Sequence, residues 1–177
     1  MSQPAPGNES KTGFEKMVEV IKKYEGLHKA SHWPLVGYGH KVLPSDRISR
    51  GKVLTEAEAD KLLRQDLTKL CRMYSSFGKD SLLLAALAYN IGIGNVAKST
   101  VYKKLKAGDR DIEANYLSHA RYRGKILSQL QRRRKEEFET LFDFEEPTEL
   151  LREALDSLSE PNLPITADAP KKTSNGQ

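Results

Sequence analysis

Residues 24–40 read YEGLHKASHWPLVGYGH and mark the point where the sequence leaves helical spacing. Apolar side chains recur at helical intervals just before this stretch: Phe14, Met17, Val18, Ile21 and Tyr24. The spacing predicts a helix from about Gly13 that ends at Glu25. Prolines and glycines then interrupt the period, and residues 35–40 are predicted to form a short strand or hairpin. A carboxylate therefore lies where the chain leaves its first helix.

The remainder of the chain favours helices. Thr55 and Glu58 have the spacing of a capping box. The helix that they begin should bury one face: Ala59, Leu62, Leu63, Leu67, Leu70 and Met73. Residues 82–88 are apolar on all sides, which predicts a central buried helix ended by Gly92 and Gly94.

Shorter helices are predicted over residues 98–105 and 111–119, with a closing amphipathic helix over residues 126–142. Residues 35–40 are then the single β-like stretch, so the predicted fold class is α+β, mostly α. We expect a flexible segment at 1–13, one domain at 14–144, and an acidic tail at 145–177 that is partly helical and then disordered.

The charge distribution points to an anionic partner. The chain has 177 residues and a net charge of +5, but residues 145–177 hold seven acidic and three basic residues, which leaves +9 for the rest. Such a body suits nucleic acid, a membrane surface or an acidic cell-wall polymer. No apolar run approaches the roughly 20 residues of a membrane span, and no secretory signal is visible at the start.

Metal and redox chemistry have little support. Cys71 is the single cysteine, and its helical spacing predicts a buried core residue. The four histidines are in no metal-ligand spacing with it or with acidic residues. A Gly-rich phosphate loop is also missing. We therefore expect no metal and no cofactor.

Four segments in order carry a family resemblance over about residues 14–142. They are YEGL at 24–27 with VGYGH at 36–40, LAYNIG at 87–92, KSTV at 98–101 with KLKAGD at 104–109, and YRGK at 122–125 with QRRRKE at 131–136. Together they resemble the T4-endolysin-like phage-type lysozymes of glycoside hydrolase family 24. The match is most similar to a Bacteroidetes branch with a shortened catalytic loop.

The resemblance implies a two-lobed lysozyme-like fold, in which a small β-hairpin lobe faces a larger helical lobe across a glycan-binding cleft. It implies an N-acetylmuramidase that cleaves the β-1,4 bond between N-acetylmuramic acid and N-acetylglucosamine. Glu25 matches the family's catalytic acid, which protonates the leaving oxygen.

The second catalytic group departs from the family pattern, because the usual Asp and Thr are missing. The Asp position falls on Pro34 when counted from Glu25 and on Lys29 when counted back from Gly37, and the Thr position holds Leu35. Residues 26–44 contain no Asp or Glu. His28, Ser31, His32 and His40 are the polar residues left to position a water molecule. We favour His32 with Ser31, because a neutral imidazole can take a proton from water. Alternatively, His32 is an ordinary surface residue beside Trp33.

Six further residues are predicted to contact sugar: Trp33, Tyr38, His40, Tyr89, Asn90 and Thr100. Trp33 could instead belong to the core and Tyr38 could point into the hairpin, while His40 is expected to support the site rather than react. Ser99 is expected to cap a helix. The resemblance to the family's paired arginines implies that at least one arginine within residues 132–134 forms an ion pair with Glu136 or Glu137.

Two other functions stay open. A catalytically degenerate relative would bind peptidoglycan or a protein without cleaving glycan. A nucleic-acid-binding module would explain the basic body but lacks a recognition motif. We expect a monomer whose partner is peptidoglycan, without nucleic acid or membrane insertion. It would act in the periplasm or after secretion, or wait in the cytoplasm for holin-type release.

Overall fold

A computed structural model describes residues 11–142 of the chain. Helix α1 spans Gly13–Glu25, as the apolar spacing predicted. Thr12 caps it, because its Oγ1 accepts a hydrogen bond from the Glu15 backbone N–H at 3.2 Å. The helix stops at Gly26, whose φ of 61° is readily adopted by glycine. The predicted C-terminal tail lies outside the described residues.

The predicted hairpin follows α1. Strand β1, Leu35–Val36, pairs antiparallel with β2, His40–Lys41. Short 3₁₀ turns lie on either side, at Ala30–His32 and Pro44–Asp46. Gly37 packs the hairpin onto the next helix, since a Cβ there would lie 3.1 Å from the Cβ of Ala59.

Helix α2, Glu56–Met73, begins with the predicted capping box. Glu58 N–H donates to Thr55 Oγ1 at 3.2 Å, and Thr55 N–H donates to Glu58 Oε2 at 2.8 Å. The prediction that Met73 is buried was wrong, because the side chain is 52% exposed. Cys71 takes the last inward position, as predicted, and a residue two places later points to the opposite side of a helix.

Helix α3, Ser81–Ile91, is the buried centre of the domain, and residues 81–88 are all buried. Helices α1 and α2 and the last helix, α7 (Ser128–Leu141), pack around it. The helix predicted over residues 98–105 is α5, Thr100–Lys106, and a short helix that was not predicted, α4 at Ile93–Lys98, precedes it. Ser99 separates them and caps α5, because its Oγ accepts from the Tyr102 N–H at 3.1 Å.

The expectation of a single β-like stretch was wrong. After α6, Glu113–Leu117, a second hairpin pairs β3, Arg121–Tyr122, with β4, Lys125–Ile126. Its loop, Arg123–Gly124, has positive φ at both residues, as in the two-residue turns that suit hairpins. Helix α7, Ser128–Leu141, closes the domain against α1. Within residues 11–142, each helix is too short or too polar to cross a bilayer.

Candidate active site

Glu25 is the last residue of α1 and is held by α7. Its Oε1 accepts a hydrogen bond from Arg133 Nη1 at 2.7 Å. Arg133 is buried, whereas the Glu25 side chain keeps 19% of its surface exposed. The carboxyl group is therefore fixed at one oxygen and still open to solvent.

A buried ionic network stands behind this pair. Glu137 accepts from Arg133 Nε at 2.8 Å, from Arg134 Nη1, and from the Tyr116 hydroxyl at 2.8 Å. Burial opposes the charge on Arg133, but Glu137 and Glu25 raise its pKa. The predicted ion pair between this arginine run and a nearby glutamate is confirmed, with Glu137 as its acceptor. The two arginines involved are core residues, and Arg132 is exposed.

Gly39 forms the floor beside the Glu25 carboxyl group. A Cβ on this residue would lie 3.3 Å from Glu25 Oε2, the oxygen that Arg133 does not contact, and 3.8 Å from His28 Cε1. Its φ of 98° also lies in the range that L side chains rarely adopt. The space beside this bare backbone thus borders both Glu25 Oε2 and the His28 imidazole ring.

Ser31 and His32, the two residues predicted to position water, lie on the exposed turn at Ala30–His32. The His32 Nδ1 accepts a hydrogen bond from the Lys29 N–H at 3.1 Å. Its ring contacts the edge of His28 at a centroid distance of 5.0 Å. His28, which the sequence analysis ranked below His32, is the residue whose ring lies within 4 Å of the Gly39 Cβ position.

Tyr38 and Tyr89 hold the first hairpin in place. The Tyr38 ring is buried, with its hydroxyl 3.5 Å from Glu56 Oε1 and with Lys22 Nζ 5.2 Å from its centroid. The Tyr89 hydroxyl donates to the Tyr38 carbonyl at 2.8 Å, and burial raises the Tyr89 pKa. The buried ring matches the expectation that Tyr38 points into the hairpin rather than towards a sugar.

His40 joins the hairpin to α2. Its Nδ1 lies 2.5 Å from Asp66 Oδ2 and its Nε2 lies 3.0 Å from Asp46 Oδ2. Burial opposes protonation, but the hydrogen bonds to Asp66 and Asp46 raise the pKa of His40. The protonated ring can donate to both carboxylates at once. This geometry suits the supporting role expected for His40.

The other predicted sugar contacts occupy varied surroundings. Trp33 is half-buried, packs on the core, and lines a shallow apolar cavity of about 330 Å³ with Pro34 and Leu43. Asn90 Oδ1 accepts from Arg134 Nη2 and so belongs to the buried network. Thr100 is exposed at the start of α5. In the part of the chain that the structure describes, no cluster of three His, Cys, Asp or Glu side chains could hold a metal ion.

Two solved structures resemble this fold. The muramidase domain of SpmX from Asticaccaulis excentricus superposes with a TM-score of 0.60 at 26% identity, covering 71% of this chain and 94% of that domain. An endolysin from Escherichia coli O157:H7 phage FAHEc1 has a TM-score of 0.59 at 23% identity, covering 81% of this chain and 99% of the endolysin. The second likeness supports the fold alone.

Sequence comparison gives the family. An endolysin of Acyrthosiphon pisum secondary endosymbiont phage 1 is 33% identical over 107 residues, which are 54% of this chain and 70% of the relative. The endolysin of Bacillus phage B103 is 32% identical over 144 residues, which are 71% of this chain and about half (51%) of that relative. The sequence model of phage lysozymes matches residues 19–137. The chain is therefore a member of the phage lysozyme family.

Proposed function

We propose that the protein is an N-acetylmuramidase that cleaves the β-1,4 bond between N-acetylmuramic acid and N-acetylglucosamine, with Glu25 as general acid. The hydrolase class and the peptidoglycan substrate follow from membership of the phage lysozyme family. One observation supports the role of Glu25 above all. Its Oε1 is held by Arg133, while its Oε2 faces the bare backbone of Gly39.

This arrangement suits proton donation to a glycosidic oxygen. The contact with Arg133 occupies Oε1, so Oε2 is the oxygen left to carry the proton. Gly39 leaves room for a sugar above that oxygen, since a side chain would occupy the space. Protonating the leaving oxygen lowers the barrier to breaking the C1–O bond, and a positioned acid typically contributes about 10²–10⁴-fold.

The test is the release of reducing ends from purified peptidoglycan by the wild type and by Glu25→Gln. We expect Glu25→Gln to lower the rate by at least about 100-fold, because an amide cannot donate the proton. Glu19→Gln, at an exposed glutamate on the same helix, is the matched control and should keep the wild-type rate. Near-full activity of Glu25→Gln would exclude this role.

A second candidate is a peptidoglycan-binding protein that has lost catalysis. It is favoured by one observation, the lack of any Asp or Glu between residues 26 and 44. This candidate predicts that the wild type sediments with purified cell walls but releases no reducing ends.

We also propose that the protein acts on the wall as a monomer, in the periplasm or outside the cell. The basic charge of residues 1–144 supports attraction to an anionic wall. Size-exclusion chromatography with light scattering tests the oligomeric state, and a dimer at working concentration would contradict it.

A further inference from the structure

Hydrolysis by direct attack of water needs a second group beside Glu25, and the loop that follows Glu25 is one source of such a group. Its residues 26–44 contain no carboxylate, so the candidates are hydroxyl and imidazole groups. We infer that His28 is the base that removes a proton from the attacking water, rather than His32 or Ser31. This inference rests on the proposed function and adds a named residue to it.

The His28 ring lies close to the Glu25 carboxyl group. The His28 ring and Glu25 Oε2 both lie within 4 Å of one point, the place where Gly39 would carry a Cβ. The acid and the imidazole therefore both border the space beside the same bare stretch of backbone. An inverting glycosidase needs its acid and its base to face one reacting carbon in this way, with water on the side of the base.

A hydrogen bond to the backbone decides which ring nitrogen of His28 carries the hydrogen. His28 Nδ1 lies 3.1 Å from the Gly37 carbonyl oxygen, and a carbonyl can only accept, so Nδ1 carries the hydrogen. In the neutral ring, Nε2 then holds the lone pair that can take a proton. The His28 N–H also donates to Gly37 O, at 2.8 Å, which fixes the backbone of the residue. Both contacts hold the base before substrate arrives.

The rival residues fit this role less well. His32 uses its Nδ1 to accept from the Lys29 N–H, and its ring is in T-shaped contact with the His28 ring, whereas the His28 ring is the one within 4 Å of the Gly39 Cβ position. Ser31 is exposed on the same turn, and a hydroxyl is a much weaker base than an imidazole. His40 is held between two carboxylates and, once protonated, has no lone pair to use.

The reaction balances with these two groups alone. The water oxygen bonds to C1 of the muramic acid residue as the bond from C1 to the leaving oxygen breaks. Glu25 gives its proton to that oxygen, and His28 Nε2 takes one proton from the water. The products are an inverted hemiacetal, a free hydroxyl, a Glu25 carboxylate and a His28 imidazolium. Transfer of that proton to Glu25 through solvent restores both groups.

The experiment compares His28→Asn with His32→Asn in the reducing-end assay. The amide that His28→Asn introduces can still donate to Gly37 O but offers no basic nitrogen. We expect His28→Asn to lower kcat by at least about 100-fold, with little change in thermal stability, and His32→Asn to stay close to the wild type. Wild-type kcat in His28→Asn, or equal losses in the two variants, would overturn the inference.

Azide supplies an independent readout in His28→Ala. The azide ion attacks C1 without having to lose a proton, so it needs no base, whereas Glu25 must still protonate the leaving oxygen. We expect azide to restore cleavage and to give a glycosyl azide of inverted configuration. Failure of rescue, or a product of retained configuration, would overturn the role of His28. A wild type that releases no reducing ends would overturn the proposed function and this inference together.

Discussion

At the scale of single residues, Gly39 controls the space beside the Glu25 carboxyl group. We predict that Gly39→Ala lowers the hydrolytic rate strongly, because the new methyl group would lie 3.3 Å from Glu25 Oε2 and displace it. An alanine held at the φ of 98° should also lower the free energy of unfolding by about 1–3 kcal/mol. Reducing-end release and urea unfolding measure the two effects separately.

Gly51→Ala is the matched control for that substitution. Gly51 has a φ of 83°, but a Cβ there would meet nothing within 4 Å. It should lose a similar free energy of unfolding from backbone strain and keep the wild-type rate. If Gly51→Ala lost as much activity as Gly39→Ala, the effect would come from stability and not from the space beside Glu25.

At the scale of elements, His40 attaches the first hairpin to α2, and its contribution should depend on pH. The hydrogen bonds to Asp66 and Asp46 raise its pKa in the folded state against the effect of burial. The stabilisation is therefore complete below the unfolded value of about 6.5 and is lost as pH rises through the raised pKa. We expect His40→Gln to lower the free energy of unfolding by about 2–3 kcal/mol near pH 5.5, and by less once the pH is above the raised pKa. Urea unfolding at a series of pH values measures this difference.

His119 provides a control of opposite sign. Burial lowers the pKa of His119, and the positive charge of the nearby Arg134 lowers it further. A lowered histidine pKa destabilises the folded state as pH falls below about 6.5, because the unfolded chain then binds the proton more readily. His119→Gln should remove that loss at low pH. If the His40→Gln cost were the same at every pH, the proposed ionic contacts of His40 would be contradicted.

At the scale of the whole molecule, the Glu137 network connects α7 with α1, α3 and α6. Glu137→Gln leaves two buried arginines with less compensating charge, so we expect a loss of about 3–5 kcal/mol in the free energy of unfolding. Glu136→Gln is the matched control one residue earlier. Glu136 pairs with the exposed Lys23, and that loss should stay below about 1 kcal/mol. Equal losses would show that the buried position of Glu137 has no special effect.

Patterns within a few residues account for what sequence reasoning predicted correctly. The spacing of apolar side chains located α1 and the buried α3, and the Thr55 capping box located the start of α2. The second hairpin was missed because each strand is only two residues long and half of the strand residues are charged. The one available signal was the Arg123–Gly124 pair, which suits a two-residue turn.

The sequence by itself determined the helical class, the start of the main helices and the place of Glu25 at a helix end, because these depend on periodicity and capping along short segments. Only the tertiary structure decided that Arg133 contacts Glu25 across 108 positions and that His28, rather than His32, lies beside Gly39. The Tyr38 side chain is also buried, in contact with Lys22 of α1 and Glu56 of α2. Such choices depend on which elements pack together, and local sequence patterns carry no information on contacts of that separation.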